Sequence, residues 1–389
     1  MSVPTIRGWC PSAYRPMASG DGLVARIRPR FGELSSAQAI GLADLAQRYG
    51  QGIIQMTNRA NLQIRGVASA DHARLIDGLV GLALVHRDAS IDAQNITLDP
   101  LRPVTPDDLQ SKIAVALSAA LQKPGLASLP AKFGFVIDTG TERRLGDISG
   151  DIRIEAHDDT LLVRADGCRM GRPVLDVDEA VSCAIILAHW FLKSRGVGAD
   201  GRGRMAAHIA AGAVLPELLQ GTLPPNPNAA APLPGPAPNG YCAAAPLGLL
   251  TSADLRLLAG CGASLMRITP WRMVFLQVSE PPKGLALAGN LIVDPLHPLL
   301  RVDACPGAPA CPQASVETRA LAERLASHLG PQETLHVSGC TKGCARSRPA
   351  DVTLVGRDGR FDLVRRGTTN GTPEIYSILP DAVPDFINR

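Results

Sequence analysis

Gly32-Glu-Leu-Ser-Ser-Ala-Gln38 and Gly248-Leu-Leu-Thr-Ser-Ala-Asp254 carry one pattern twice, about 216 residues apart. In each, a hydroxyl residue (Ser35, Thr251) precedes an amide or carboxylate (Gln38, Asp254) by three positions. That is the reciprocal pairing of a capping box, and it predicts a helix start. The first helix carries Leu42, Leu45, Ala46 and Tyr49 on one face. The second carries Leu255, Leu258 and Ala259 before Gly260 and Gly262 end it. Both are faces to be buried. Each helix is followed by two apolar strands around a polar corner: residues 53–57 and 62–64 around Asn58-Arg59, then 265–269 and 273–278 around Pro270-Trp271-Arg272. A repeat of this length says that the chain is duplicated.

The two copies are separated by residues 221–240, whose seven prolines predict a semi-extended connector without regular structure. After the first copy, residues 133–137, 152–155 and 161–164 read as strands, with a turn at Asp158-Asp159. Helices are expected over 178–193 and over 205–219, the second bent at Pro216. After the second copy, Ser315 is placed to cap a helix bearing Leu321, Leu325 and Leu329 that stops at Gly330-Pro331. A strand over 334–337 and a hairpin over 352–355 and 361–364, turning at Asp358-Gly359, complete the chain. Each half is a repeat unit followed by a mixed domain, so the expected class is α+β.

The second half has cysteines that the first lacks. Cys305 and Cys311 form Cys-x5-Cys, and Cys340 and Cys344, 28 residues further on, form Cys-x3-Cys. Both pairs lie in Pro- or Gly-rich loops separated by one predicted helix. Four thiolates on two loops match the ligand demand of a cubane 4Fe-4S cluster. A structural zinc is the rival, although its pairs are usually two to four residues apart.

At 389 residues the chain exceeds one ordinary core. Hydrophobic residues make up 46% and charged residues 19%, and the net charge of +3 gives no reason to expect a nucleic-acid partner. Five further cysteines (Cys10, Cys168, Cys183, Cys242, Cys261) and the lack of a signal peptide point to a reducing cytoplasm. The most apolar run, 180–192, is too short to span a bilayer, so no membrane segment is expected.

Thr57-Asn-Arg-Ala-Asn-Leu-Gln-Ile-Arg-Gly66, Cys305-Pro-Gly-Ala-Pro-Ala-Cys311 and Ser338-Gly-Cys-Thr-Lys-Gly-Cys-Ala345 resemble the signatures of the nitrite and sulfite reductase superfamily. The resemblance covers nearly the whole chain. It implies a pseudo-twofold molecule of two ferredoxin-like half-domains and two larger α/β domains, the second holding a 4Fe-4S cluster on Cys305, Cys311, Cys340 and Cys344. The implied boundaries are 1–75 and 76–220, the linker 221–240, then 241–290 and 291–389. In the reductases sirohaem is also bound, and the cysteine matching Cys344 bridges cluster and sirohaem iron.

Set against the reductases, the chain departs where the anion would sit. Of two arginines and two lysines, Arg26 and Lys132 are kept, while Gln94 and Gly134 replace the others. Losing half of that positive charge should cripple reduction of sulfite or nitrite. The opening Arg7-Gly-Trp-Cys-Pro-Ser-Ala-Tyr-Arg-Pro-Met-Ala-Ser-Gly-Asp-Gly-Leu23 resembles instead an oxygen-dependent branch of the superfamily. In that branch precorrin-3A is hydroxylated at C20 and closed to a ring A γ-lactone during aerobic cobalamin biosynthesis. The resemblance implies precorrin-3A and dioxygen as substrates, an external reductase or ferredoxin as electron donor, and a mononuclear non-haem iron whose ligands no His-x-Asp/Glu motif reveals. Two alternatives remain open: a sirohaem-dependent nitrite or sulfite reductase, and a non-catalytic iron–sulfur or tetrapyrrole-carrier protein.

Precorrin-3A is a polyanion, and Arg26, Arg28, Arg59, Arg65, Arg272 and Arg346 are the candidates for its carboxylates, with surface ion pairs as the plainer role. Lys342, between the last two cysteines, and Lys132 are the catalytic candidates; Lys342 reads equally well as a solvated loop residue. Trp9, Tyr14 and Trp271 are placed either to stack on a macrocycle or to pack a core. Duplication within one chain favours a monomer.

Overall fold

The computed structural model describes residues 11–105, 107–285 and 290–387. The segment holding Arg7, Trp9 and Cys10 lies outside them. The first half opens with β1 (Met17–Ser19), β2 (Gly22–Ile27), β3 (Glu33–Leu34), α1 (Ser36–Tyr49), β4 (Ile53–Met56), β5 (Leu62–Val67), α2 (His72–Gly81) and α3 (Ala89–Asp92). It continues with β6 (Ile96–Leu98), α4 (Leu109–Ala120), β7 (Phe135–Asp138), β8 (Ile152–His157), β9 (Thr160–Ala165), β10 (Arg172–Val174), α5 (Val177–Lys193) and α6 (Met205–Ala210). The second half opens with β11 (Gly235–Ala237), β12 (Gly240–Ala244), β13 (Leu249–Thr251), α7 (Ser252–Ala259), β14 (Met266–Ile268) and β15 (Met273–Leu276). Then come β16 (Val302–Ala304), α8 (Arg319–Ala326), β17 (Leu335–Ser338), β18 (Ala350–Arg357), β19 (Arg360–Gly367), β20 (Ile375–Ile378) and α9 (Pro384–Ile387).

Both capping boxes form. Ser35 Oγ accepts from the Gln38 N–H at 3.2 Å while Gln38 Oε1 accepts from the Ser35 N–H at 2.9 Å. Thr251 and Asp254 do the same for α7. Before each box the backbone is left-handed at two successive residues, Phe31 and Gly32 (φ 57° and 74°) and Leu247 and Gly248 (φ 50° and 76°). Glycine adopts this region readily, whereas a side chain there costs about 1–2 kcal/mol. The turn swings the next strand out of its own half. β3 pairs with β14 of the second half, and β13 pairs with β4 of the first. The sheets are accordingly β1-β2-β5-β4-β13 and β11-β12-β15-β14-β3.

This exchange makes one core. Leu42, Ile54 and Ile64 from the first half and Leu250, Leu255 and Leu276 from the second belong to a single buried cluster. The helices α1 and α7 pack together, and Ser252 Oγ donates to Ala43 O at 2.9 Å. Beyond this unit lie two five-stranded sheets with identical wiring, β10-β9-β8-β7-β6 and β16-β17-β18-β19-β20. In each, the strands β6, β7, β8 or β16, β17, β18 run parallel, and the remaining two are added through antiparallel pairings, β8 with β9 and β9 with β10, or β18 with β19 and β19 with β20. Helices α4 and α5 cover the first sheet and α8 the second. Among the described residues no helix is long and apolar enough to cross a membrane.

Three local expectations change. The helix expected over 205–219 ends at Ala210, because Gly212 turns left-handed (φ 96°) before Pro216 is reached. α8 begins at Arg319, not after Ser315, because Thr318 directs its hydroxyl to a carbonyl of the cysteine loop. Nor is the Pro-rich stretch wholly without regular structure: β11 forms within it, and buried Asn226 ties it to the first sheet domain through Gly140 O and the Asp158 N–H.

Leu250 is fully buried and sits opposite Ile54 of the other half. Leu250→Ala should cost about 2–5 kcal/mol in urea unfolding, and should speed amide exchange at Ile54 in the first half. Loss of protection confined to the second half would contradict the shared core.

Candidate functional site

The neighbouring parallel strands β16 and β17 end in the two cysteine loops, so their register delivers both loops to one sheet edge. Such carboxyl ends are where open α/β sheets place their sites. Cys305 follows Ala304 directly, and its Sγ accepts the Gly339 N–H at 3.1 Å. The Cys311 N–H closes its loop onto Gly307 O at 2.7 Å, and Thr318 Oγ1 donates to Cys305 O at 2.6 Å. Gly307 is left-handed (φ 67°), and a Cβ there would lie 2.5 Å from Thr318 Oγ1, so only glycine fits.

The four thiols are electrostatic neighbours. Burial pushes the Cys340 and Cys344 thiols up, Cys305 and Cys311 add to this, and the Lys342 ammonium opposes it. Lys342 is exposed on the loop between Cys340 and Cys344, and its charge acts on both thiols. Among the described residues no three His, Cys, Asp or Glu side chains converge on a point that would hold a single metal ion. In a cubane the four thiolates bind four different irons, so convergence on one point is not required. At the equivalent edge of the first sheet the place is filled by ion pairs, Arg144 with Asp99 and Arg102 with Glu33 and Asp108.

The β1–β2 hairpin docks on the first cysteine loop. Ser19 Oγ and the Gly20 N–H both donate to Ala310 O, at 2.6 and 3.1 Å, and a Cβ on Gly20 would lie 2.3 Å from Pro309 O. Arg65 completes the joint. Its fork binds Asp21 twice, at 3.0 and 2.9 Å, and reaches Ser19 Oγ and Ala310 O. Arg272 and Arg346 meet at Asp303, two residues before Cys305, at 3.3 and 2.9 Å. All three arginines therefore hold the cysteine loops through carboxylates of the protein.

The remaining candidates lie along one sheet face. Ala25, Ile27, Leu62 and Ile64 point into the core, so Arg26 and Arg28 on and after β2, and Asn61, Gln63 and Arg65 on and before β5, share the opposite face. Gln63 turns its amide oxygen to Arg26, at 3.1 and 2.8 Å, and Gln55 beside it leaves a buried Oε1 without a donor among the described residues. From Arg65 to Asn61 the row spans about 13 Å at roughly 3.3 Å per residue. It runs from the cysteine loop to a cavity of about 650 Å³ lined by Arg28, Arg59, His86, Asp92 and Gln94 among others. Arg28 donates to Asn95 Oδ1, and Arg59 to Lys132 O and Ser149 Oγ. Gln94 exchanges hydrogen bonds with Ser118, and the Gly134 N–H is held by Asp151. The Lys132 residue is exposed. Tyr14 donates to His86 O and Arg87 O beside the cavity, whereas Trp271 packs against the small buried cluster that includes Cys242 and Phe275.

A family model described as the nitrite/sulfite reductase ferredoxin-like half domain matches residues 15–81. A precorrin-3B synthase from a Sinorhizobium species is 31% identical over 95% of this chain and 85% of its own length. The chain belongs to the precorrin-3B synthase family. A ferredoxin–nitrite reductase from Synechococcus elongatus is 27% identical, over 91% of this chain and 80% of its own length. The solved NirA protein of Mycobacterium tuberculosis superposes over 94% of this chain and 80% of its own with a TM-score of 0.61 at 19% identity, which shows the fold. Its relatives make this family member an oxidoreductase.

Two residues of this site had no sequence signal strong enough to select them. Asp303 is an acid on an otherwise apolar strand, and Asp21 sits 44 positions from the arginine it binds. His336 on β17 is another. Burial pushes its pKa down to about 4, with Asp303 opposing and Arg346 assisting, and neither ring nitrogen has a partner among the described residues. In the unfolded chain the ordinary value is about 6.5, so the unfolded state takes the proton first and stability is lost as pH falls from 6.5 to 4. His336→Leu should flatten that part of the stability–pH curve; an unchanged slope would contradict it.

Proposed function

We propose that the protein is a monomeric, cytoplasmic precorrin-3B synthase that hydroxylates C20 of precorrin-3A with dioxygen and closes the ring A acetate into a γ-lactone. The observation that carries this is the polar face joining the four cysteines to the arginine-lined cavity, in a chain 31% identical to a precorrin-3B synthase over 95% of its length. The tetrapyrrole lies along that face. Arg26, Arg28 and Arg59 take its carboxylates, since a guanidinium keeps its charge when desolvated and pairs with a carboxylate through two N–H groups. Gln55 Oε1 supplies an acceptor on the same face.

Cys305, Cys311, Cys340 and Cys344 would hold a 4Fe-4S cluster, which when bound passes on electrons from an external reductase or ferredoxin. Two are needed per turnover, because one dioxygen atom enters the product and the other leaves as water. Lys342, on the loop between Cys340 and Cys344, and Lys132, at the Arg59 end, are the residues proposed to move protons. No ligand set for a mononuclear iron is assigned, because no suitable group converges among the described residues. The sirohaem reductase reading has the weaker support: Gln94 and Gly134 are both held by neutral or acidic partners where that chemistry needs cations.

Incubation with precorrin-3A, a reductant and ¹⁸O₂ should give a hydroxylated lactone carrying one labelled oxygen. Strong sirohaem absorbance with nitrite or sulfite reduction would overturn the assignment, and binding of precorrin-3A without turnover would reduce the protein to a carrier. Cys344→Ser should abolish cluster iron and turnover together; retained activity would remove that cysteine from the mechanism. Arg59→Gln should raise KM for precorrin-3A by about tenfold or more, as expected for losing one charge-assisted contact, with cluster content unchanged. An unaltered KM would move the carboxylate site elsewhere.

A further inference from the structure

Arg319 is the first residue of α8, directly after the threonine whose hydroxyl is fixed to Cys305 O. The Nε and Nη2 atoms of its guanidinium are shut off from solvent and meet no acceptor among the described residues. A buried donor left unpaired costs about 1–3 kcal/mol, and more when it is charged. Such groups are rare enough in folded proteins to require an explanation.

The neighbours do not supply one. Burial pushes the Arg319 pKa down and nearby Arg65 adds to this, while Cys305, Asp21 and Glu323 oppose it. Asp21 is already held at two points by Arg65. Of two arginines beside the first cysteine loop, one has its carboxylate and the other has none among the described residues. Glu323, one turn along α8, is exposed and makes no hydrogen bond or ion pair with Arg319 among the described residues, which leaves Cys305 and whatever Cys305 holds.

We propose that Arg319 is the counter-charge and hydrogen-bond donor of the iron–sulfur cluster, and that it raises the potential at which the cluster takes up an electron. This rests on the cluster reading given above. A 4Fe-4S core with four thiolates is an anion, and reduction adds one more negative charge. A fixed cation and two N–H donors at one ligand favour the reduced form, and hydrogen bonds and net charge are among the protein's means of setting such potentials. Arg319 is on this account a positioning and tuning residue that does not touch the tetrapyrrole.

The test uses the full-length protein, purified without oxygen, as wild type, Arg319→Lys and Arg319→Gln. Iron and sulfide per chain are measured first, followed by a redox titration read by electron paramagnetic resonance. Arg319→Gln should keep the cluster but titrate at a lower potential with altered g-values. Arg319→Lys, which keeps the charge and loses the fork, should move in the same direction by less. Wild-type potentials in both variants would overturn the proposal, as would an unchanged potential accompanied by a raised KM for precorrin-3A, which would make Arg319 a substrate contact. If Arg319→Gln fails to load iron, Arg319→Lys decides by the same criterion. Wild-type protein without iron and sulfide would instead defeat the cluster reading itself, and this proposal with it.

Discussion

The exchange of β3 and β13 between the two halves is the constraint on which the rest of the molecule depends. Two short strands, each thrown outward by a left-handed pair of residues, complete the sheet of the opposite copy. Neither half-domain then owns a finished sheet, and Leu250 and Ile54 become opposite members of one ladder. Because α1 and α7 occupy one side of this joined unit, Ala25 and Ile27 of β2, Ile54 and Met56 of β4, and Leu62 and Ile64 of β5 turn inward. The period of two along a strand sends their polar partners to the other side. The row containing Arg26, Gln63 and Arg65 is therefore a consequence of how the core closes, before any ligand is considered.

Duplication gives the two outer sheets corresponding edges that can be compared directly. The two outer sheets have the same strand order, and their corresponding edges have opposite contents. At one edge lie four cysteines, of which Cys340 and Cys344 feel the charges of the other two and of Lys342. At the other, Asp99, Asp108, Arg102 and Arg144 pair among themselves and with Glu33. The cysteine edge is held to the half-domain unit by arginines on protein carboxylates, Arg65 on Asp21 and Arg272 with Arg346 on Asp303. Breaking such partly buried pairs is costly chiefly because a charge is left without its partner. Those arginines serve the geometry of the cysteine loops, while Arg28 and Arg59 line the cavity and Arg26 lies on the sheet face with Gln63.

What was legible in the sequence is what short-range chemistry decides. The capping boxes at Ser35 and Thr251 act over three residues, and the turn at Asp158-Asp159 joins strands β8 and β9 that are adjacent in sequence. The α+β class and the duplication follow from such features, as does the grouping of cysteines on two loops. The strand exchange was not legible, because β3 is only Glu33–Leu34 and its partner Met266 lies far along the chain. The partner of Arg65 was hidden for the same reason, and it takes the structure to separate that arginine from Arg59. The unpaired state of Arg319 is still further from the sequence: a missing acceptor is a property of the packed neighbourhood and has no motif.

The central claim is that one continuous polar face, from the Arg65 joint to the Arg59 cavity, receives the tetrapyrrole. Hydrogen–deuterium exchange of the anaerobic protein with and without precorrin-3A tests it most directly. The account predicts new protection over β2, over residues 55–65 and at the cavity wall around residues 92–95, with α5 and the β8–β9 hairpin unchanged. Protection of the β8–β9 hairpin or α5, with none on β2 and β5, would contradict it.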